Sequence, residues 1–259
     1  MSDVLVAREG RTLRVTLNRP AVRNALTQNV VREVTAALEA AATDADVRVV
    51  VLTGAGGYFC AGADLRKTFE EDPDFLDHLD AYMAEYHALV RSIFRCPKPT
   101  VAAIDGAAVG FGADIAFACD LRVVSETAYV EERFVKIGLM PDGGGTFWLP
   151  RVLGTSRAMQ MILLAERLDA SAMKALGLAA SVAPPGQLDA SVRALADRLT
   201  AGPPLAFAEI KSALYASWGD LEAALTRERQ GQLRLMQSKD AMEGITAFFQ
   251  KRAPEFAGA

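Results

Sequence analysis

The chain has 259 residues, enough to bury a substantial core without disulfides or metals, and 28 Lys+Arg against 32 Asp+Glu leave a formal charge of -4. So even a balance supplies no field for nucleic acid or an anionic membrane, and any phosphate recognition has to be local. Three widely spaced cysteines (Cys60, Cys96 and Cys119) and only two histidines (His78 and His87) argue against a disulfide framework and a zinc site.

The start, Met1-Ser2-Asp3-Val4, has neither a basic region nor an apolar run, and no stretch approaches the ~20 apolar residues of a membrane span. The expectation is a cytoplasmic protein in a reducing compartment. Residues 4–8 and 13–17 flank Glu9-Gly10-Arg11-Thr12 and predict a β-hairpin, the second strand stopping before Pro20. From Thr27, an N-cap by type, the spacing of Val30, Val31, Val34, Ala37, Leu38 and Ala41 predicts an amphipathic helix ending near Thr43. Residues 47–53 read as a strand buried on both faces, closed by Gly54-Ala55-Gly56-Gly57.

An acidic loop over 70–74, a helix over 76–94 and a strand over 100–104 repeat the pattern, followed by a helix over 112–118 and a strand over 121–124. Strand and helix alternating at this pace indicate an α/β core. After Pro141 the chain turns helical over 157–165, 170–177, 187–200, 204–217 and 221–249, with one strand-like stretch at 179–182. Residues 1–200 are expected to form the core, and residues 201–259 a helical region that packs on it and on neighbouring subunits.

Three glycine-dense segments, 54–62, 106–112 and 138–145, lie at the ends of predicted strands, where α/β folds place ligands. A glycine turn entering a helix can offer unpaired N–H groups to an oxyanion, although a tight turn is the plainer reading of any one of them. None ends in the Lys-Ser/Thr of a phosphate-binding loop, and 106–112 lacks the spacing of a dinucleotide fingerprint.

Together these segments resemble the enoyl-CoA hydratase/isomerase, or crotonase, family over almost the whole chain. The matching motifs are Leu17-Asn18-Arg19-Pro20 with Arg23-Asn24-Ala25-Leu26, Phe59-Cys60-Ala61-Gly62-Ala63-Asp64-Leu65, Pro97-Lys98-Pro99 before Gly106, and Ala118-Cys119-Asp120-Leu121-Arg122. Gly138-Leu139-Met140-Pro141, Gly144-Gly145-Thr146 and Phe248-Phe249-Gln250-Lys251-Arg252 continue them in the family's order.

The resemblance implies an α/β crotonase-like spiral of ββα units with a C-terminal helical trimerisation region, assembled as a homotrimer or a hexamer of two trimers. It implies an acyl-CoA thioester as substrate, with coenzyme A part of that substrate and no separate cofactor or metal. The oxyanion donors would be the backbone N–H groups of Ala63 and Phe111, each contributing roughly 3–4 kcal/mol to a developing enolate. Substrate contacts are implied at Arg23, Ala61, Gly62, Asp64, Leu65, Gly110, Phe134, Phe248 and Lys251. Arg23 would meet a coenzyme phosphate, Phe248 and Lys251 would close over the nucleotide, and Asp64 also reads as the anchor of its own loop.

Hydratases of this family flank a water with two glutamates, and the matching positions here are Asp114 and Phe134. Phe134 cannot move a proton, and Glu131 or Glu132 could replace the glutamate only with a register shift. Asp142, in Pro141-Asp142-Gly143-Gly144-Gly145-Thr146, resembles instead the catalytic aspartate of the family's isomerases, with Asp114 similar to a second carboxylate in the dienoyl type. By itself Asp142 reads more simply as the N-cap of a helix starting at Gly143. The expected function is therefore an enoyl-CoA isomerase with Asp142 as acid and base. Hydration, aryl-CoA dehalogenation or hydrolysis with Asp142 as nucleophile and His87 nearby, and a non-catalytic acyl-CoA binder stay open as alternatives.

Overall fold

Antiparallel strands β1 (Val4–Glu9) and β2 (Thr12–Leu17) open the chain across Gly10, whose φ of 61° suits the tight turn. The computed structural model describes residues 2–216, 219 and 221–255. Helix α1 (Gln28–Thr43) follows, capped by the Thr27 side chain, which accepts from the Val30 N–H, and it buries Val30, Val31, Val34, Leu38 and Ala41. β3 (Val49–Gly54) then adds parallel to β2. It begins two residues later than the sequence pattern suggests, because Val47 is held in a turn by its N–H to the Asp44 carbonyl.

Helices α2 (Leu65–Glu71) and α3 (Phe75–Phe94) lead to β4 (Thr100–Ile104), the short β5 (Ala107–Val109) and α4 (Phe111–Ala118). β6 (Leu121–Ser125), β7 (Tyr129–Glu131), α5 (Gly145–Leu153), α6 (Thr155–Leu163), β8 (Leu168–Asp169), α7 (Ala170–Ala175), β9 (Ser181–Ala183) and α8 (Leu188–Thr200) complete the core. One sheet has the order β1-β2-β3-β4-β6-β9 and the other β5-β7-β8. The first strand of each successive pair, β4 and then β6, joins the large sheet, and the second, β5 and then β7, joins the small one. Cys60, bridged to Ala108, plays the second-strand part after β3. This is the ββα spiral that the motifs led us to expect.

The alternation along β3 shows why its apolar run has no polar face. Val50 and Leu52 point with Ala102, Ile104 and Val124 into the main core, while Val49 and Val51 point with Val101, Ala103 and Val123 toward Val192 and Ala196 of α8. Both faces are covered, so both sets of side chains are apolar.

In the C-terminal part, α9 (Pro204–Ala216) agrees with expectation except at residue 217, which lies outside the described residues. The long helix expected over 221–249 is two helices, α10 (Leu221–Leu235) and α11 (Lys239–Gln250). The break falls at Ser238, whose hydroxyl caps α11 by accepting from the Ala241 N–H, a cap that apolar periodicity passes over. α10 is tied to α3 by Arg91 and Arg95 on Glu222 and by Arg229 on Asp80.

Asp120 joins the sheet to α9. Its carboxylate accepts from the Thr100 N–H at 2.7 Å and the Thr100 hydroxyl at 2.9 Å, and from Lys211 at 2.6 Å and the Tyr215 hydroxyl at 2.5 Å. Asp120→Ala strands these donors in a largely dry site. It is expected to cost roughly 2–4 kcal/mol in urea unfolding and to speed amide exchange in α9.

Candidate active site

Two loops meet at one point of backbone contact. The Phe59 and Cys60 N–H groups donate to the Ala107 carbonyl, and the Val109 N–H donates to the Cys60 carbonyl at 2.9 Å. The start of α4 comes so close that a Cβ on Gly112 would lie 2.4 Å from the Cys60 carbonyl oxygen and 2.8 Å from the Cys60 Cβ. Gly62 has φ 92°, and a Cβ there would sit 2.9 Å from the Val109 carbonyl oxygen.

This contact sets the Ala63 and Phe111 N–H groups along one cavity wall. The Phe111 N–H is the first of a helix and has no intrahelical acceptor. Ala63 bridges Leu26 through its neighbours, by Leu26 N–H to the Gly62 carbonyl and Asp64 N–H to the Leu26 carbonyl, so its own N–H is left over. Among the described residues neither donor has a protein acceptor. The phenylalanine at 111 needs no unusual backbone, since only Gly110 before it has positive φ, 54°. Its ring is buried edge-on against Tyr86 at 4.7 Å.

The cavity encloses about 460 Å³. Phe75, Leu79, Tyr82, Met83, Leu139 and Met236 make its inner wall apolar, and Ala61, Gly62, Leu65, Gly110, Phe134 and Phe248 also line it. Arg23, Arg133, Lys136 and Arg252 supply its basic groups. Arg133 and Lys136 share Glu131, and Arg252 pairs with Glu243, whereas Arg23 has no carboxylate partner among the described residues.

Asp142 lines the cavity, and the turn that presents it is held on every side. The Gln232 side chain donates to Asp142 Oδ2 at 2.8 Å and accepts from the Met140 N–H at 3.4 Å. His87 Nε2 donates to the Asp142 carbonyl at 2.9 Å, so Nε2 carries the hydrogen, because a carbonyl can only accept. The Gly143 N–H donates to Asp114 Oδ2 at 2.9 Å, and Glu228 accepts from the Gly144 N–H at 2.8 Å, the Thr146 N–H at 3.1 Å and the Thr146 hydroxyl. Asp142 is thus not the cap of α5. Gly144 occupies that position, and Glu228 satisfies the helix end from outside.

With Oδ2 held by Gln232, Asp142 Oδ1 has no hydrogen-bond partner among the described residues. Burial, with the Glu228 charge second, raises Asp142 to about 7. Burial lowers His87 to about 4, so its ring is neutral near pH 7.

Three residues expected in the site stand elsewhere. Asp114 is fully buried behind Gly143 and does not line the cavity; burial, with Glu132 second, raises its carboxyl well above the usual range. Asp64 caps α2 through the Lys67 N–H and pairs with Arg19 at 2.9 Å, the anchoring role rather than a substrate contact. Lys251 is the exposed C-cap of α11 with φ 55°, and Arg252 reaches the cavity in its place. Of the two possible stand-ins for a hydratase glutamate, Glu131 is held by Arg133, Lys136 and Arg167, and Glu132 is fully buried with neither oxygen paired among the described residues. Sequence reading missed Gln232 and Glu228, whose one signal is their i, i+4 spacing on a single helix face.

An acid raised from 3.8 to about 7 is a liability for the fold. Below about pH 4 both folded and unfolded Asp142 hold a proton and nothing is lost; between about 4 and 7 only the unfolded state ionises, so stability falls as pH rises, and above 7 the loss is constant. Asp142→Asn is expected to unfold at higher denaturant concentration than the parent at pH 8, and the gain should shrink toward pH 4, by at most roughly 1.4 kcal/mol per pH unit.

The enoyl-CoA hydratase/isomerase family model matches residues 8–259. A probable enoyl-CoA hydratase of Rhodobacter capsulatus is 42% identical over 245 residues, covering 94% of this chain and 93% of that protein. The 1,2-epoxyphenylacetyl-CoA isomerase of Escherichia coli is 34% identical, covering 100% and 99%. A crystal structure of an enoyl-CoA hydratase from Mycobacterium avium subsp. paratuberculosis superposes with a TM-score of 0.90 at 41% identity, covering 99% of each chain. Similar proteins are named hydratase more often than isomerase. On the match over nearly its whole length, this chain belongs to the enoyl-CoA hydratase/isomerase family.

Proposed function

We propose that this enzyme is an enoyl-CoA isomerase that shifts a double bond, with Asp142 as both base and acid. One observation bears most of the weight: among the described residues lining the cavity, Asp142 is the only carboxylate. Hydration across a double bond calls for two such groups around a water, and Phe134 lines the wall where the family's hydratases have the second glutamate.

In the proposed reaction Asp142 Oδ1 takes a proton from C2 of a 3-enoyl thioester. The electron pair moves into the carbonyl, and the enolate oxygen is held by the Ala63 and Phe111 N–H groups. The same carboxyl returns the proton to C4, so the double bond passes from C3–C4 to C2–C3 and no water enters the balance. A group near pH 7 suits this task, since neither form is scarce at neutrality. The apolar inner wall suits an uncharged acyl group, and Arg23 is available for a coenzyme phosphate. Exposed Leu205 and Ile210 on α9 support the packing of this region on further copies, as in a trimer or hexamer.

The dehalogenase alternative loses its base, because His87 is bound to backbone and lies outside the cavity lining. The discriminating measurement offers 2-enoyl-, 3-enoyl- and halogenated aryl-CoA esters in deuterated solvent. We expect 3-enoyl migration to dominate, with kcat/KM rising with unit slope up to about pH 7 and then levelling. Asp142→Asn should lower it by roughly 10³-fold or more with little change in ester binding. Hydration of the 2-enoyl ester as fast as 3-enoyl migration would sink the proposal.

A further inference from the structure

α10 reaches the turn around Asp142 with two side chains spaced one helical turn apart. Glu228 takes the Gly144 and Thr146 N–H groups at the start of α5, together with the Thr146 hydroxyl. Gln232 takes the Met140 N–H and gives its own N–H to Asp142 Oδ2. The segment from Met140 to Thr146 is therefore gripped at both ends by one helix, and that helix is fixed to α3 by Arg91 on Glu222 and Arg229 on Asp80.

The two side chains differ in what they do to a nearby proton. Three donors at a helix N-terminus favour the Glu228 anion, which sits fully buried. A fixed negative charge close to Asp142 opposes its ionisation, whereas the Gln232 N–H donates to the ionised oxygen and favours it. Other titratable groups face Asp142 from the elements around it. Tyr86 and His87 of α3 are kept uncharged by burial, and burial raises both Asp114 of α4 and Glu132 after β7.

We propose that α10 governs the acid–base state of Asp142, Glu228 holding its proton on and Gln232 drawing it off. Both are positioning residues that act through Asp142, and the assignment rests on the reading of Asp142 as acid and base. A purely structural pair would have no reason to move one titration in opposite senses.

The test titrates Asp142 directly, in full-length protein, by the infrared carbonyl band of its protonated carboxyl, identified by its loss in Asp142→Asn. The pH profile of kcat/KM for a 3-enoyl-CoA is followed beside it. Glu228→Gln keeps the size and one acceptor, and should move the midpoint about one pH unit lower with KM changed less than about twofold. Gln232→Leu should move it upward by about half a unit or more, and the double variant should return near the parent value. Unmoved midpoints in folded variants, or shifts in one common direction, would overturn the proposal; if Glu228→Gln does not fold, an unmoved midpoint in Gln232→Leu does so alone. The infrared band needs no turnover, so it decides the point even if no double bond migrates.

Discussion

Everything in the site depends on the contact between Gly112 and Cys60, where the start of α4 touches the backbone of the other loop. A methyl group at 112 would stand 2.4 Å from the Cys60 carbonyl oxygen, well inside any tolerable separation. Moving the helix outward to admit it would separate the Phe111 and Ala63 donors, and two donors aimed at one oxygen are useful only while they converge. The same contact stacks β5 on the bridge at Cys60 and so fixes how the small sheet begins. A single missing side chain thus links the register of the fold to the geometry of an oxyanion hole.

Behind that hole lies a second constraint of opposite character. Asp114, Glu132, Glu228 and Asp142 crowd together, and they cannot all ionise in a dry interior. Their hydrogen bonds grade them. Among the described residues, Glu228 accepts from at least three donors, Asp114 and Asp142 each accept from one on a single oxygen, and Glu132 accepts from none. Burial and mutual repulsion raise Asp114, Glu132 and Asp142 above the usual carboxylate range. Only one of the set, Asp142, also lines the cavity, so the cluster delivers a single poised group to the substrate.

Much of the fold could be read from the residues. The two-faced apolar run of β3, the cap at Thr27 and the glycine segments are local signals and led to local structure. β5, β7 and β8 escaped notice because two or three residues are too few to show a period, and their pairing is decided by distant partners. In the site, the motifs at 59–65 and 138–146 were legible because backbone geometry there demands glycine. Glu228 and Gln232 were not, because they serve a turn more than eighty residues away and look like ordinary polar residues of an amphipathic helix. Asp114 misled for a related reason: its place in the motif says nothing about which way its carboxyl points.

An aspartate just ahead of a helix ordinarily spends its side chain on the helix end, as Asp64 and Asp169 do here. Asp142 escapes that fate because its neighbours have taken the donors. Asp114 accepts from the Gly143 N–H and Glu228 from the Gly144 and Thr146 N–H groups, and Asp114 can come so close only because residues 143 and 145 have no side chain. A Cβ at either would lie 2.6–2.7 Å from Asp114 atoms. The run of three glycines is therefore not slack in the chain. It admits Asp114 to the start of α5, and with the donors there taken by Asp114 and Glu228, one oxygen of Asp142 is left without a protein partner among the described residues.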